Sequence, residues 1–65
     1  SDPAFSLVGV TIHLGASGSS GHYYVYTRSG DKWICKNDAK ISVRDWNDIK
    51  DDISANGTVL VYKRN

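Results

Sequence analysis

The sequence predicts a small α+β domain that is mostly β, with an antiparallel sheet of about four strands and one short helix. Four stretches are rich in β-branched, aliphatic and aromatic residues and are separated by Gly, Ser, Asn and Asp, which is typical of strands joined by turns. These stretches are Phe5 to Leu14, Gly21 to Arg28, Lys32 to Lys36 and Thr58 to Lys63. At 65 residues, the chain is one small domain or a piece of a larger one.

The composition excludes several classes of function. A single Cys allows no internal disulfide, and no Cys-rich spacing suits structural zinc. A net charge of +1 gives no electrostatic footprint for nucleic acid or an acidic membrane surface. We therefore expect no cofactor, no metal, no nucleic acid and no membrane as partners, and the lone Cys favours a cytoplasmic or nuclear location. The core of so short a chain rarely supplies more than about 3–5 kcal/mol, so we expect it to pack against further protein.

A Gly/Ser-rich segment from Gly15 to Gly21 separates the first two predicted strands. It is either a flexible connection between antiparallel strands or a mobile flap whose backbone approaches a ligand closely. His22 is the first side chain that the second strand presents, and it shares a face with Tyr24 and Tyr26 because side chains alternate along a strand.

The next turn sets the cross-strand partner of His22. Ser29-Gly30-Asp31 has turn chemistry, and the third strand follows it directly. If the first two of these are the loop residues, His22 lies directly opposite Asn37, and a loop one residue longer pairs it with Asp38. Either register brings His22 beside a polar side chain.

A short helix is expected before the last strand. Ile41 to Val43 is predicted to be a short extended piece. Ser42 fits the N-cap of the helix that follows, with the Asp45 side chain bonding back to the backbone of Ser42. Apolar residues then recur at helical spacing from about Val43 to Ser54, and Gly57 fits as the stop.

A His beside an Asn or Asp on the neighbouring strand has the geometry of a general base and its orienting group. The orienting group fixes the imidazole tautomer, so that the other ring nitrogen can take a proton from a nucleophile. The alternative is a histidine without function beside a polar residue. Cys35 is a poor nucleophile candidate, because in mid-strand the neighbouring N–H groups are committed to the sheet and cannot form an oxyanion hole. We expect Cys35 to be a packing residue.

Four spaced blocks follow one another through nearly the whole chain. They are Phe5-x-Leu7-x-Gly9-Val10-x-x-His13-x-Gly15, Gly21-His22-Tyr23-x-x-Tyr26, Trp33-x-x-x-Asn37-Asp38 and Val59-Leu60-x-Tyr62. Together they resemble the C-terminal His-box segment of the ubiquitin-specific proteases. The resemblance implies that residues 1–65 are the C-terminal part of a papain-like cysteine protease catalytic domain, without its Cys-bearing subdomain.

The same resemblance implies the site. His22 would be the catalytic histidine and Asn37 the third member of the triad, with Asp38 beside it. The Gly15 to Gly21 loop would be similar to a blocking loop over the C-terminal tail of ubiquitin. The substrate-binding residues implied in this way are Gly15, Gly18, Gly21 and Tyr23.

The sequence therefore predicts part of a deubiquitinase that hydrolyses bonds to the ubiquitin C-terminal glycine. Its partners would be ubiquitin and the Cys-bearing part of the same catalytic domain, and the chain alone would be inactive. Because the nucleophile is missing and Lys36 and Thr58 depart from the family pattern, a non-catalytic ubiquitin-binding or scaffold module stays open as an alternative. A small β-rich interaction domain unrelated to ubiquitin is the third hypothesis. A sheet order that separates the strands of His22 and Asn37 would favour it.

Overall fold

A computed structural model describes residues 4–17 and 20–65, which form one antiparallel sheet with a helix against one of its faces. In chain order, the elements are β1 (Phe5–Ser17), β2 (Ser20–Ser29), β3 (Lys32–Asn37), β4 (Lys40–Arg44), α1 (Trp46–Asn56) and β5 (Gly57–Arg64). The strands lie in the order β4-β3-β2-β1-β5. The first four are consecutive neighbours, and α1 carries the chain back across the sheet so that β5 pairs with β1. The mostly β class is confirmed, with five strands in the described residues rather than about four.

The additional strand is β4, and it moves the start of the helix. β4 pairs with β3 from Trp33↔Arg44 to Asn37↔Lys40, so Ser42 is a strand residue and its predicted role as N-cap is wrong. The N-cap is Asp45, whose side chain makes no capping hydrogen bond. Its Oδ1 instead accepts a hydrogen bond from Lys32 Nζ at 2.5 Å, which ties the start of α1 to the start of β3.

The predicted β2–β3 register is wrong by two residues. Val25 pairs with Lys36 and Ser29 with Lys32, so Gly30 and Asp31 are the turn residues, and His22 lies directly opposite neither Asn37 nor Asp38. Gly30 has φ +61°, a left-handed conformation that Gly adopts without steric cost. Because side chains alternate with a period of two, a shift of two residues leaves each side chain on the face where it was predicted.

The core lies between α1 and one face of the sheet, which we call the helix face. Its buried residues are Val10, Ile12, Tyr26, Trp33, Cys35 and Ile49. The strand members occupy alternate positions, as expected of a sheet with one covered face. Ile12 and Ile49 are both 0 % exposed, and burying each stabilises the fold by about 1.5–3 kcal/mol. Cys35 is a free thiol 5 % exposed, which agrees with its predicted packing role.

The opposite face of the sheet, which we call the outer face, has many exposed apolar side chains. Those between 52 % and 69 % exposed are Tyr23, Ile41, Val43, Val59 and Val61. Apolar patches of this kind mark contact surfaces. The described helix is too short to cross a membrane.

Candidate active site

His22 and Asn37 form a hydrogen-bonded pair on neighbouring strands. His22 lies near the start of β2, opposite Leu14 of β1, and Asn37 is the last residue of β3. His22 Nε2 and Asn37 Oδ1 are within hydrogen-bond distance, and both side chains are half-buried. The β2–β3 register, extended by one residue, puts Asn37 opposite Tyr24, so the pair meets along a diagonal of the sheet. Diagonal neighbours are within reach of long side chains.

The direction of this hydrogen bond assigns the imidazole tautomer. An amide oxygen can only accept, so Nε2 of His22 carries a proton and donates a hydrogen bond to Asn37 Oδ1. Nδ1 is then the unprotonated, basic nitrogen. This arrangement suits a general base that takes a proton at Nδ1 while its ring is held at the other nitrogen.

Asp38 is not part of this pair. It lies in the two-residue turn that joins β3 to β4, where it is exposed and has φ +54°. Asp tolerates this left-handed conformation better than most residues. Within residues 4–17 and 20–65, the structure brings Asn37, and not Asp38, to His22.

The Gly/Ser-rich segment is more regular than predicted. β1 continues to Ser17 and β2 begins at Ser20, so the predicted loop is wrong at its two ends, and the strands shift register between Leu14 and Ser17. The long β1–β2 ladder explains the difference, because each added pair satisfies backbone groups that a loop would leave to water. Gly18 lies outside the described residues.

Gly21 holds the two strands close together immediately before His22. Its φ is +137°, which L side chains rarely adopt. A Cβ at this position would lie 2.3 Å from the carbonyl oxygen of Leu14 and 2.6 Å from Nε2 of His13. Gly15 also has a positive φ of +129°. Both glycines are therefore needed for backbone conformation, and their predicted contact with a substrate remains a prediction.

Tyr23 lies on the outer face, opposite to His22. It is directly across from His13 on β1, and the two rings stack with centroids 4.3 Å apart and planes 14° apart. Nε2 of His13 is buried and has no hydrogen-bond partner in the described part of the chain. Tyr23 itself is 55 % exposed and can therefore contact another molecule.

A polar cluster that the sequence patterns did not indicate lies beside His22 on the helix face. Tyr24 Oη and Tyr26 Oη donate to Oδ2 of Asp52, at 2.5 and 2.7 Å. Asn56 Nδ2 donates a hydrogen bond to the other carboxylate oxygen of Asp52, Oδ1, at 2.8 Å. The available signal was the spacing, since Asp52 lies three residues after the buried Ile49 and so shares its side of α1.

Burial and hydrogen bonding act in opposite directions on the acid of this cluster. Burial alone would raise the pKa of Asp52, but hydrogen bonds from Tyr24, Asn56 and Tyr26 outweigh it, and its pKa lies below the usual 3.8. Burial, followed by the hydrogen bond to Asp52 and its charge, raises the pKa of Tyr24 to about 12. The same causes raise the pKa of Tyr26 further. The cluster is therefore an ionised carboxylate held by two neutral phenols.

The described residues offer no metal site, since none of their His, Cys, Asp and Glu side chains gather in groups of three or more that could hold an ion.

The strands of His22 and Asn37, β2 and β3, are neighbours in the sheet. The separated strand order that would have favoured an unrelated interaction domain is therefore not found.

Comparison with known proteins identifies the family. A family model described as ubiquitin carboxyl-terminal hydrolase matches residues 1–62, and the chain therefore belongs to this family. It is 32 % identical over 63 residues to ubiquitin carboxyl-terminal hydrolase 25 of Arabidopsis thaliana, a match that covers 95 % of this chain and 9 % of that protein. Over 42 residues, 60 % of the chain, it is 48 % identical to ubiquitin carboxyl-terminal hydrolase 6 of Schizosaccharomyces pombe, of which it covers 9 %.

A further relative is named for a different substrate. The chain is 44 % identical over 48 residues to Ubl carboxyl-terminal hydrolase 18 of Pongo abelii, a match that covers 71 % of this chain and 12 % of that protein. The chain thus spans about a tenth of the length of these curated relatives.

Proposed function

We propose that this chain is the His/Asn-bearing part of a cysteine-dependent deubiquitinase, which hydrolyses bonds to the C-terminal glycine of ubiquitin. The observation that carries the proposal is the hydrogen bond between His22 Nε2 and Asn37 Oδ1 in a chain that belongs to the ubiquitin carboxyl-terminal hydrolase family. The chain would be the C-terminal part of the catalytic domain. The Cys-bearing part of the same domain would supply the nucleophile, since the thiol of Cys35 is buried in the core.

In this mechanism His22 moves protons and Asn37 orients it. Nδ1 of His22 takes the proton of the incoming thiol, and the thiolate attacks the carbonyl carbon of the substrate glycine. The imidazolium then gives the proton to the leaving lysine amine, which leaves a thioester. A water molecule, deprotonated by Nδ1, hydrolyses the thioester and regenerates the thiol. Throughout these steps Asn37 Oδ1 accepts from Nε2–H and keeps the ring in one tautomer.

The proposed contacts with the ubiquitin tail lie on both sides of His22 in sequence. Gly15, Gly18 and Gly21 would allow close approach of a substrate backbone, because they have no side chains. Tyr23, which is 55 % exposed, would contact the tail from the outer face. An extended peptide tail is a suitable ligand for backbone groups that are not covered by side chains.

A ubiquitin-like protein is the second candidate substrate. Two relatives from different organisms are named as Ubl carboxyl-terminal hydrolases. The chemistry at His22 is the same for either substrate, so selection between them would depend on surfaces that contact the folded part of the modifier.

The test uses the full-length protein that contains this segment and a fluorogenic amide at the C-terminus of ubiquitin. We expect the wild type to release the fluorophore, and His22→Ala and Asn37→Ala each to lower kcat/KM on the order of 100-fold or more, because both disable the general base. Asn47→Ala, at an exposed position of α1, is the control and should keep full activity. The same substrates built on ubiquitin-like proteins compare the two candidates.

Two outcomes would overturn the proposal. Full turnover by His22→Ala would remove the catalytic assignment of this histidine. Binding of ubiquitin by the wild type without any turnover would instead favour the non-catalytic module.

A further inference from the structure

The cluster around Asp52 joins α1 to the strand that carries His22. Asp52 Oδ2 accepts from Tyr24 Oη at 2.5 Å and from Tyr26 Oη at 2.7 Å, while Asn56 Nδ2 donates to Oδ1 at 2.8 Å. All three donors are neutral side chains, and the carboxylate is half-buried. Hydrogen bonds to an ionised acceptor are shorter and stronger than those between neutral groups. The two phenol rings are therefore fixed at their far ends.

Tyr24 connects this cluster to the His22–Asn37 pair. It is two residues after His22 on the same side of β2, and the two ring centroids are 6.0 Å apart with planes tilted by 39°. In the extended register it is also the residue opposite Asn37. The Tyr24 ring thus lies beside the imidazole on the same side of β2.

Anchoring of the helix does not by itself require this acid. Ile49 is 0 % exposed and Ile53 packs against the same core, so apolar contacts already hold α1 on the sheet. A half-buried carboxylate costs desolvation free energy that an apolar residue would not. The cluster also lies at the end of the helix face nearest to His22, since Tyr24 is the next residue on that side of β2.

We propose that Asp52 is a positioning residue for His22, acting through the ring of Tyr24. Asp52 fixes the phenol, the phenol limits the rotamers of the imidazole, and the imidazole keeps its hydrogen bond to Asn37. As far as it concerns turnover, this inference rests on the proposed function. The arrangement of the rings can be tested whether or not the protein is an enzyme.

The experiment compares three variants of the full-length protein. Asp52→Asn keeps the shape of the side chain and removes its charge, and Tyr24→Phe keeps the ring and removes its hydroxyl. Asp51→Asn removes the same charge from the neighbouring exposed position of α1 and is the control. Circular dichroism and thermal melting select variants that stay folded, and Tyr24→Phe serves if Asp52→Asn does not.

Two readouts follow the site. For Asp52→Asn and Tyr24→Phe we expect kcat to fall about tenfold, as a slight misplacement of a catalytic group would cause. KM should stay within about twofold, because substrate binding is not affected. The nitrogen NMR shifts of the His22 ring should report one tautomer, protonated at Nε2, in the wild type and in Asp51→Asn, and a mixture of tautomers in the other two variants.

The outcomes separate the two proposals. If the wild type has no activity, the proposed function fails, and the NMR shifts alone decide the inference. If the wild type is active but both test variants match Asp51→Asn in kcat and in the shifts of His22, the inference is wrong and the proposed function stands. A lower melting temperature of Asp52→Asn, with unchanged kcat and unchanged NMR shifts of the His22 ring, would likewise show that Asp52 only holds α1 on the sheet.

Discussion

At the scale of single residues, the amide oxygen of Asn37 determines which ring nitrogen of His22 is protonated and which is basic. Asn37 Oδ1 accepts a hydrogen bond from Nε2–H of His22, so Nδ1 is the nitrogen that would act as the base in the proposed mechanism. A neutral amide is sufficient for this task when the charge of the imidazolium is compensated by a thiolate. Asp38, which is next in sequence, lies in the turn after β3 and plays no part in the pair.

Replacing Gly21 by Ala should strongly destabilise the fold. The new Cβ would lie 2.3 Å from the Leu14 carbonyl oxygen, and φ is +137°, so both space and conformation oppose it. We expect a loss of about 2–4 kcal/mol in the free energy of unfolding, measured by urea titration of the full-length protein.

Gly30→Ala is the matched control for this substitution. Gly30 has φ +61°, but a Cβ added there would meet no neighbouring atom within 4 Å, so only the conformational cost of about 1–2 kcal/mol remains. Equal losses at the two positions would contradict the close packing of Gly21 against β1.

At the scale of elements, α1 depends on one fully buried side chain. Ile49 is 0 % exposed, and Ile49→Ala should lower the free energy of unfolding by about 3 kcal/mol, because it removes apolar contacts and leaves a cavity. Ile41→Ala, at a position 69 % exposed on β4, should change it by less than about 0.5 kcal/mol. Chemical denaturation followed by tryptophan fluorescence measures both, and similar effects would show that α1 does not pack as described.

The polar cluster between α1 and β2 makes stability depend on pH at both ends of the scale. The pKa of Asp52 is lowered below 3.8, so its contribution is present above that value and is lost as the pH falls through the lower, folded-state pKa. The pKa of Tyr24 is raised from 10.0 to about 12, so its contribution is complete below pH 10.0 and is lost as the pH rises toward 12.

Urea titrations across the pH range test these two slopes. Asp52→Asn should reduce the acid slope, and Tyr24→Phe should reduce the alkaline slope, with Tyr26, whose pKa is also raised, accounting for part of what remains. An alkaline slope that Tyr24→Phe leaves unchanged would show that this phenol is not held by Asp52.

The residues of the helix face could be predicted from the sequence because side chains alternate along a strand. The position of the β2–β3 turn could not be predicted from this alternation. His22, Tyr24 and Tyr26 share a face because a strand has a period of two. The predicted position of the turn is wrong because Ser29-Gly30 and Gly30-Asp31 are both acceptable turn pairs. The resulting register error of two residues leaves each side chain on its predicted face of the sheet. It replaced a direct pairing of His22 and Asn37 by a diagonal one.

The start of the helix and the Asp52 cluster were beyond local sequence patterns. Ser42 has the side chain of a typical N-cap, but it pairs with Cys35 in the β3–β4 ladder and is therefore a strand residue. Such pairing between strands overrides the local preference of a residue for a helix start. Asp52 has no motif. Its role arises only when α1 crosses the sheet and brings it to Tyr24 and Tyr26.

At the scale of the whole molecule, the two faces of the sheet differ in how they are covered. α1 covers the core on the helix face, although Leu60 and Tyr62 of β5 are still 47 % and 55 % exposed. No helix of the described residues covers the outer face, which leaves Tyr23, Ile41, Val43, Val59 and Val61 between 52 % and 69 % exposed. Such a surface supports the proposal that this segment functions within a larger catalytic domain, because a core of this size is marginal by itself.

The isolated 65-residue chain should therefore associate through its outer face. We expect sedimentation velocity to show concentration-dependent oligomers, and the double substitution Val43→Thr with Val61→Thr to shift them toward monomer, because it removes apolar area without changing strand propensity greatly. Arg64→Thr, at an exposed and polar position of β5, is the control. A chain that stays monomeric at high concentration would contradict this expectation.

The diagonal contact between His22 and Asn37 also limits how this segment can change in length. One residue inserted into β3 between Trp33 and Asn37 would carry the amide through the sheet to the outer face, unless a bulge absorbed it. Two inserted residues would return it to the side of the imidazole, but one step further along. The stretch of β3 that leads to Asn37 should therefore tolerate an insertion of two residues better than an insertion of one, which needs a compensating bulge.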